Sequence, residues 1–395
     1  MEELYRKYYS FLENTPLEFE RSLTDQVDWS SRGIAIVGAR GTGKSTMLLQ
    51  KLSKSDKNSV YVTADDLAFQ EITLYDFASD FVMNGGKQLV IDEVHKYTNW
   101  QQEVKNIYDT FQNLQIIISG SSIVELAKSS VDLSRRILNY ELKELSFREF
   151  IALHKNIELP ILDLTDILKN HVNLVKEIKS SLSHPVEEYK NYLEFGAYPF
   201  FTEGENSAII RVQQIINLIL DYDLPSVKEI EHQTQDKLKK LLYLISQEVP
   251  YKPNISKLSK QIHTSRSKSL ELIHLLNQSR LIHSLKTSSR GNSILNKPDK
   301  LFLRNPTIIN ALAHGRQKEG NIRETFFLSQ LKNAGYSVHY SKNGDFEIDD
   351  YIFEVGGKNK TRKQIKNIPN SYIAADNIEY GYQTKIPLWL FGFLY

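Results

Sequence analysis

The chain has 395 residues, 41% of them apolar and 25% charged, and none is cysteine. At roughly 100–200 residues per domain there is room for about two to four domains, while a disulfide scaffold, a thiolate zinc site, a cysteine nucleophile and disorder throughout are excluded. Forty-nine basic residues against 48 acidic ones leave a formal charge of +1, so any affinity for nucleic acid has to come from a local patch.

Residues 1–32 carry a helical pattern, with Leu4, Tyr8 and Leu12 four apart, and end in the polar run Asp28-Trp29-Ser30-Ser31. From 33 to 145 the rhythm changes. Short apolar runs at 34–37, 60–62, 89–91 and 116–118, with a fifth at 137–142, alternate with helical segments. Buried β-branched runs alternating with helices predict an α/β fold whose parallel sheet is covered on both faces. Leucine- and lysine-rich helical patterns fill 146–235, interrupted at 192–199. Residues 236–303 read as a small helical unit closed by a strand pair. A separate α/β domain follows at 304–395, with a helix at 323–333 and a buried final strand at 386–395. No run of about 20 apolar residues exists and the N-terminus is polar, so no membrane span is expected and the cytoplasm is the default location.

Gly38-Ala39-Arg40-Gly41-Thr42-Gly43-Lys44-Ser45, followed by Thr46, fits G-x-x-x-x-G-K-[ST]. Glycines let successive backbone N–H groups turn inward around a phosphate. Lys44 reaches the β- and γ-phosphates, the Ser45 hydroxyl ligates Mg²⁺, and the following helix offers its positive end. The second half of such a site is an acid ending another buried strand, and Leu89-Val90-Ile91-Asp92-Glu93 supplies it. Asp92 is expected to hold Mg²⁺ through its water shell, and Glu93 to polarise a water for in-line attack on the γ-phosphate. The expected cofactors are therefore ATP and Mg²⁺. A strand between the loop and Asp92, and a glutamate directly after it, mark the ATPase rather than the GTPase branch. Asn296-Lys297-Pro298-Asp299 matches a guanine-reading motif but lies far outside the sheet. Ser119, ending the fourth strand, is the candidate to hold the attacking water or sense the γ-phosphate. Arg135-Arg136 precedes the fifth strand and is placed to reach the γ-phosphate of a neighbouring subunit, which would make the working form a homo-oligomer. His95 reads as structural, with no second histidine at ligand spacing.

The motif 38–45, Asp92-Glu93-Val94-His95-Lys96 with Trp100, Ser119-Gly120-Ser121-Ser122, Leu133-Ser134-Arg135-Arg136, Leu145-Ser146-Phe147-Arg148-Glu149-Phe150 and Gly196-Ala197-Tyr198-Pro199 together resemble one group of proteins. These are prokaryotic AAA-type P-loop ATPases of the extended family, with a C-terminal winged helix and a restriction-endonuclease-like domain. The resemblance covers nearly the whole chain. It implies an AAA-type core at 33–145 after an N-terminal helical segment, a helical lid at 146–235, a winged helix-turn-helix at 236–303 and the endonuclease-like domain at 304–395. It also implies ATP binding and hydrolysis. A Gly-Arg pair usually stands in that family where this chain has Arg135-Arg136, so Arg136 is the arginine carried over.

Between 251 and 300, Lys252, Lys257, Lys260, Arg266, Lys268, Arg280, Lys286, Arg290, Lys297 and Lys300 face only Glu271 and Asp299. The apolar spacing there gives two short helices around Thr264-Ser265, then two strands flanking a Ser/Arg/Gly/Asn tip. That is a winged helix in outline, with 265–279 as recognition helix, and its charge favours DNA phosphates. Docking on a protein is the other use of such a module. Further on, the segments 345–349 and 351–358 resemble the metal-binding hairpin of restriction-endonuclease-like folds, with Asp349, Glu354 and the helix residue Glu324 as candidate ligands. The lysine slot of that pattern holds Gly356, with Lys358 and Lys360 displaced, so a degenerate domain used for folding or docking is expected. The function read from the sequence is an ATP-hydrolysing AAA-type switch or motor, acting on DNA through the winged helix. An ATP-gated, Mg²⁺-dependent nuclease and a non-hydrolysing nucleotide-dependent interaction protein are the alternatives.

Overall fold

The structure, a computed structural model, describes every residue except 1, 56, 121–132, 228–230, 289–296 and 314–317. Ser121, Ser122, Arg290, Asn296 and the tip of the expected wing thus lie outside the described residues. The chain divides into two compact units, Met1–Lys143 and Glu144–Tyr395.

In the first unit α1 (Glu2–Glu13), β1 (Gly33–Gly38), α2 (Lys44–Ser53), β2 (Ser59–Thr63), α3 (Leu74–Met83), β3 (Gln88–Asp92), α4 (Trp100–Thr110), β4 (Gln115–Gly120) and β5 (Leu138–Leu142) follow in sequence. The strands form one parallel sheet in the order β2-β3-β4-β1-β5. Every residue of β1, β3 and β4 is buried, as expected of central strands with helices on both faces. β4 lies between the loop-bearing β1 and the acid-bearing β3, so three strand ends open side by side. Residues 2–13 belong to this unit rather than standing apart. Leu4 and Tyr8 of α1 are buried in its core, the Tyr8 hydroxyl lies 3.1 Å from Ser59 Oγ, and Lys7 Nζ donates to Asp66 Oδ2 at 2.7 Å.

The second unit runs α5 (Phe147–Lys155), α6 (Leu164–Ser181), α7 (Pro185–Phe195), α8 (Glu205–Leu218), α9 (His232–Gln247), α10 (Ile255–Gln261), α11 (Arg266–Gln278), β6 (Ile282–Leu285), β7 (Lys300–Leu303), α12 (Pro306–Ala313) and α13 (Glu319–Asn333). The strands β8 (Val338–Tyr340), β9 (Phe346–Ile348), β10 (Tyr351–Gly356), β11 (Ser371–Ala375) and β12 (Lys385–Pro387) complete it. They form a mixed sheet ordered β12-β11-β10-β9-β8, antiparallel from β8 to β10 and parallel beyond. An aromatic core joins distant segments: Tyr189 meets Phe326 at 4.8 Å between ring centres, and Phe147 meets both Tyr192 and Phe393 at 5.7 Å. The helices after 146 and the C-terminal α/β part therefore share one interior. The expected final strand at 386–395 is shorter than read. The ladder stops at Pro387, which has no N–H to donate, and Leu388–Phe393 is a buried 3₁₀ turn. Among the described residues no helix is long and apolar enough to cross a membrane.

Candidate nucleotide-binding site

The loop after β1 closes on glycines in the left-handed region, Gly41 at φ 81° and Gly43 at φ 91°, where a side chain would be strained. Gly38 serves a different end: a Cβ there would lie 2.4 Å from the Leu142 carbonyl on β5. Ala39, Thr42 and Lys44 are buried, and Arg40, Gly41, Gly43, Ser45 and Thr46 are half-buried around them. Thr42 Oγ1 donates to Ala39 O at 2.9 Å, while Lys44 Nζ donates to Gly38 O at 3.2 Å and Ala39 O at 3.1 Å. With its ammonium bound to its own loop carbonyls, Lys44 is satisfied without a ligand. Arg21, which nothing in the sequence singled out, braces the loop from below. Its guanidinium is buried and donates to Thr42 O at 2.6 Å and Lys143 O at 2.7 Å.

The acid ending β3 sits opposite. Asp92 is 2% exposed, and Ser45 Oγ, on the first turn of α2, donates to its Oδ2 at 2.5 Å. The Glu93 N–H donates to Oδ1 at 2.9 Å. Ser119 Oγ donates to the same oxygen and the Tyr61 hydroxyl to Oδ2, both in short contacts. The sequence offered Ser119 as the residue that holds the attacking water or senses the γ-phosphate; β3 and β4, paired in parallel, bring it against Asp92. Tyr61 was missed; a polar-tipped ring inside the apolar run Val60-Tyr61-Val62 was its signal.

Glu93 itself has a left-handed backbone, φ 48°, which turns its side chain out of the strand line. Burial, reinforced by the Asp92 charge, raises its carboxyl above the usual range against the pull of Lys44, Arg40 and Lys96. Its Oε2 is shielded from solvent and makes no hydrogen bond, with His95 Nε2 3.4 Å away. A buried carboxylate oxygen without a hydrogen bond at this place is where a water or a ligand group would be taken up. The Ser45–Asp92 pair offers the hard oxygen donors that Mg²⁺ takes together with phosphate oxygens, so these residues fit the metal the motif implies.

Arg136 is not at this site. It precedes β5 at the opposite edge of the sheet, its carbonyl against Gly33 at the start of β1. Its guanidinium grips Asp109 through Nε at 2.8 Å and Nη2 at 3.0 Å. A strand of six residues spans roughly 20 Å, so no role at its own loop is open to it.

In the second unit the basic region divides. Lys252, Lys257, Lys260, Arg266 and Lys297 are exposed, and Lys268 pairs with Glu271 at 3.0 Å. Arg280 and Lys300 are buried and belong to no surface. Lys300 Nζ lies 3.7 Å from Glu324 and 3.9 Å from Asp345. This corrects the expected metal triad. Asp349 and Asp350 are the two-residue turn between β9 and β10, with Asp349 exposed at φ 49°, whereas Asp345 packs on β10 by accepting from Val355 N at 2.9 Å. Lys360 bonds Glu354 Oε1 at 2.5 Å, its stem lying over Gly356, where a Cβ would meet it at 2.8 Å. Burial and the Asp345 charge push the Glu324 carboxyl up to about 7. Among the described residues no three His, Asp or Glu side chains are grouped to hold a metal ion.

Residues 30–151 match the family model of an AAA domain, and the parallel sheet with its loop after β1 is the P-loop fold of that domain. Residues 186–319 match a domain of unknown function, DUF8612. Two uncharacterised proteins of Methanocaldococcus jannaschii are similar over most of their length. One is 27% identical over 89% of this chain and 81% of its own, the other 25% identical over 84% and 73%. Among solved structures, a point variant of Thermotoga maritima RuvB is 14% identical over 73% of this chain and 90% of its own, at a TM-score of 0.28. A katanin structure concerned with self-assembly is 17% identical over 49% and 60%, also at 0.28. At scores this low the two add nothing to the sheet and loop described above.

Proposed function

We propose that this chain binds ATP with Mg²⁺ at the loop 38–45 and hydrolyses it, working as an AAA-type switch or motor on DNA. The observation that carries the reading is one convergence: the left-handed glycine loop, the Ser45–Asp92 contact of 2.5 Å and the unbonded Glu93 Oε2. Mg²⁺, when bound by Ser45 and Asp92 with phosphate oxygens, would neutralise charge developing on the γ-phosphoryl group. The chain's own groups do the rest. Loop N–H groups and the N-terminus of α2 bind phosphate oxygens, and Lys44 exchanges two carbonyls for phosphate. Glu93 accepts a proton from the attacking water. Arg136 acts on the nucleotide of a neighbouring copy, exchanging Asp109 for phosphate. α10, α11 and the β6–β7 pair form the winged helix, its exposed Lys257, Lys260 and Arg266 meeting phosphates on either strand.

Phosphate release tests this, measured against protein concentration with and without DNA. The expected result is turnover that rises per molecule with concentration and is lost in Lys44→Ala and Glu93→Gln, with ATP binding kept in Glu93→Gln. Turnover unchanged in both variants contradicts the reading.

A further inference from the structure

Tyr61 lies mid-strand in β2 and is 5% exposed. A ring buried this deep needs a partner for its hydroxyl, and it finds Asp92 Oδ2, the oxygen that also accepts from Ser45 Oγ. Oδ1 is held from the other side by Ser119 Oγ and the Glu93 N–H. Both oxygens of a buried carboxylate are therefore fixed by donors of this chain, two on each. The donors differ in what else they do. Ser45 also faces the phosphates, and the Glu93 N–H belongs to the turn that carries the water-handling carboxylate. Tyr61 stands on a strand with no phosphate- or water-handling group in this reading. A phenylalanine would fill the same space between the same valines, so packing alone does not call for the hydroxyl.

We infer that Tyr61 is a positioning residue for the metal: its hydroxyl fixes the Asp92 carboxylate so that Oδ2 stays beside Ser45 Oγ, where Mg²⁺ would be held. The inference rests on the reading of the loop as an ATP–Mg²⁺ site. Hydrogen bonds to an ionised acceptor are the strong ones, and removing an outer partner of a metal ligand typically lowers metal affinity about 10- to 100-fold.

The test titrates a non-hydrolysable ATP analogue into the full chain, wild type and Tyr61→Phe, once with Mg²⁺ and once with EDTA. The quantity read is the ratio of the two affinities, the gain due to metal. In Tyr61→Phe that gain should fall about tenfold, with the EDTA affinity within about twofold of wild type. In an Asp92→Asn background Tyr61→Phe should change the gain no further, because the effect runs through Asp92. Thermal melting without nucleotide confirms that each variant is folded. An unchanged gain, an equal fall in both affinities, or a full effect in the Asp92→Asn background overturns the inference alone. Wild type that binds no analogue in either buffer overturns the ATP reading as well.

Discussion

Glu144 shows what a single charge does in the second unit. Burial alone would raise its carboxyl, but the charge and hydrogen bonds of Arg304, at 2.8 and 3.2 Å, outweigh that and hold it at about 2. A folded value below the ordinary 4.5 means the pair stabilises the fold above about pH 4.5, and the contribution is lost as pH falls towards 2. Its size is about 3 kcal/mol. Glu144→Gln should therefore lower the urea unfolding free energy of the chain by about that much at pH 7, with the gap to wild type closing near pH 2. A gap that does not vary with pH would refute the assignment. At the loop, Lys44→Ala should weaken ATP binding at least tenfold, since it removes the ammonium that reaches the phosphates; equilibrium titration reads this directly. The loop and its acid were legible because phosphate chemistry demands fixed residue types at fixed spacing. Arg21, Tyr61 and Asp345 were not, because each arrives through space from a segment whose local pattern says nothing of its target. Asp349 illustrates the difficulty: two acids four residues apart fit the same pattern, and only the β9–β10 register decides which one sits in the turn.

Elements follow the same logic at longer range. The central strands of the first sheet were readable because strands buried on both faces are nearly unbroken apolar runs, whereas the edge strand β5 is exposed or half-buried along most of its length. Their order was not, since pairing β4 between β1 and β3 is a property of the sheet and not of any one strand. The four-residue spacing of Leu4, Tyr8 and Leu12 gave α1 its helical pattern but not its target, which is the core of the first unit. Leu4→Ala, at a position 2% exposed, should cost about 2–5 kcal/mol, seen as a lower urea midpoint for the first unit; a surface helix would give less than about 0.5 kcal/mol. Between 251 and 300 the basic count overstates the surface, because Arg280, just after α11, and Lys300, at the start of β7, are buried. Lys257→Ala with Arg266→Ala should weaken duplex DNA binding and reduce the slope of log affinity against log salt by about 2. Binding measured from low to moderate salt would check it, and an unchanged slope would favour a protein-docking module.

At the scale of the molecule, the first unit carries the glycine loop with Asp92 and Glu93, and the second carries mass, basic surface and a shared aromatic core. The sequence drew boundaries between lid, winged helix and C-terminal α/β part because each has its own periodicity. It could not show that Phe147, Tyr189, Phe326 and Phe393 meet in one interior, since contacts such as Tyr189–Phe326 and Phe147–Phe393, between segments far apart in the chain, leave no local trace. Whatever the second unit does, the proposed activity depends on the first unit taking up ATP with metal. Isothermal titration of the purified chain with ATP and Mg²⁺ measures that most directly. Saturable binding that is lost in Lys44→Ala and weakened by EDTA is the predicted result; no saturable heat from the wild-type chain would contradict it.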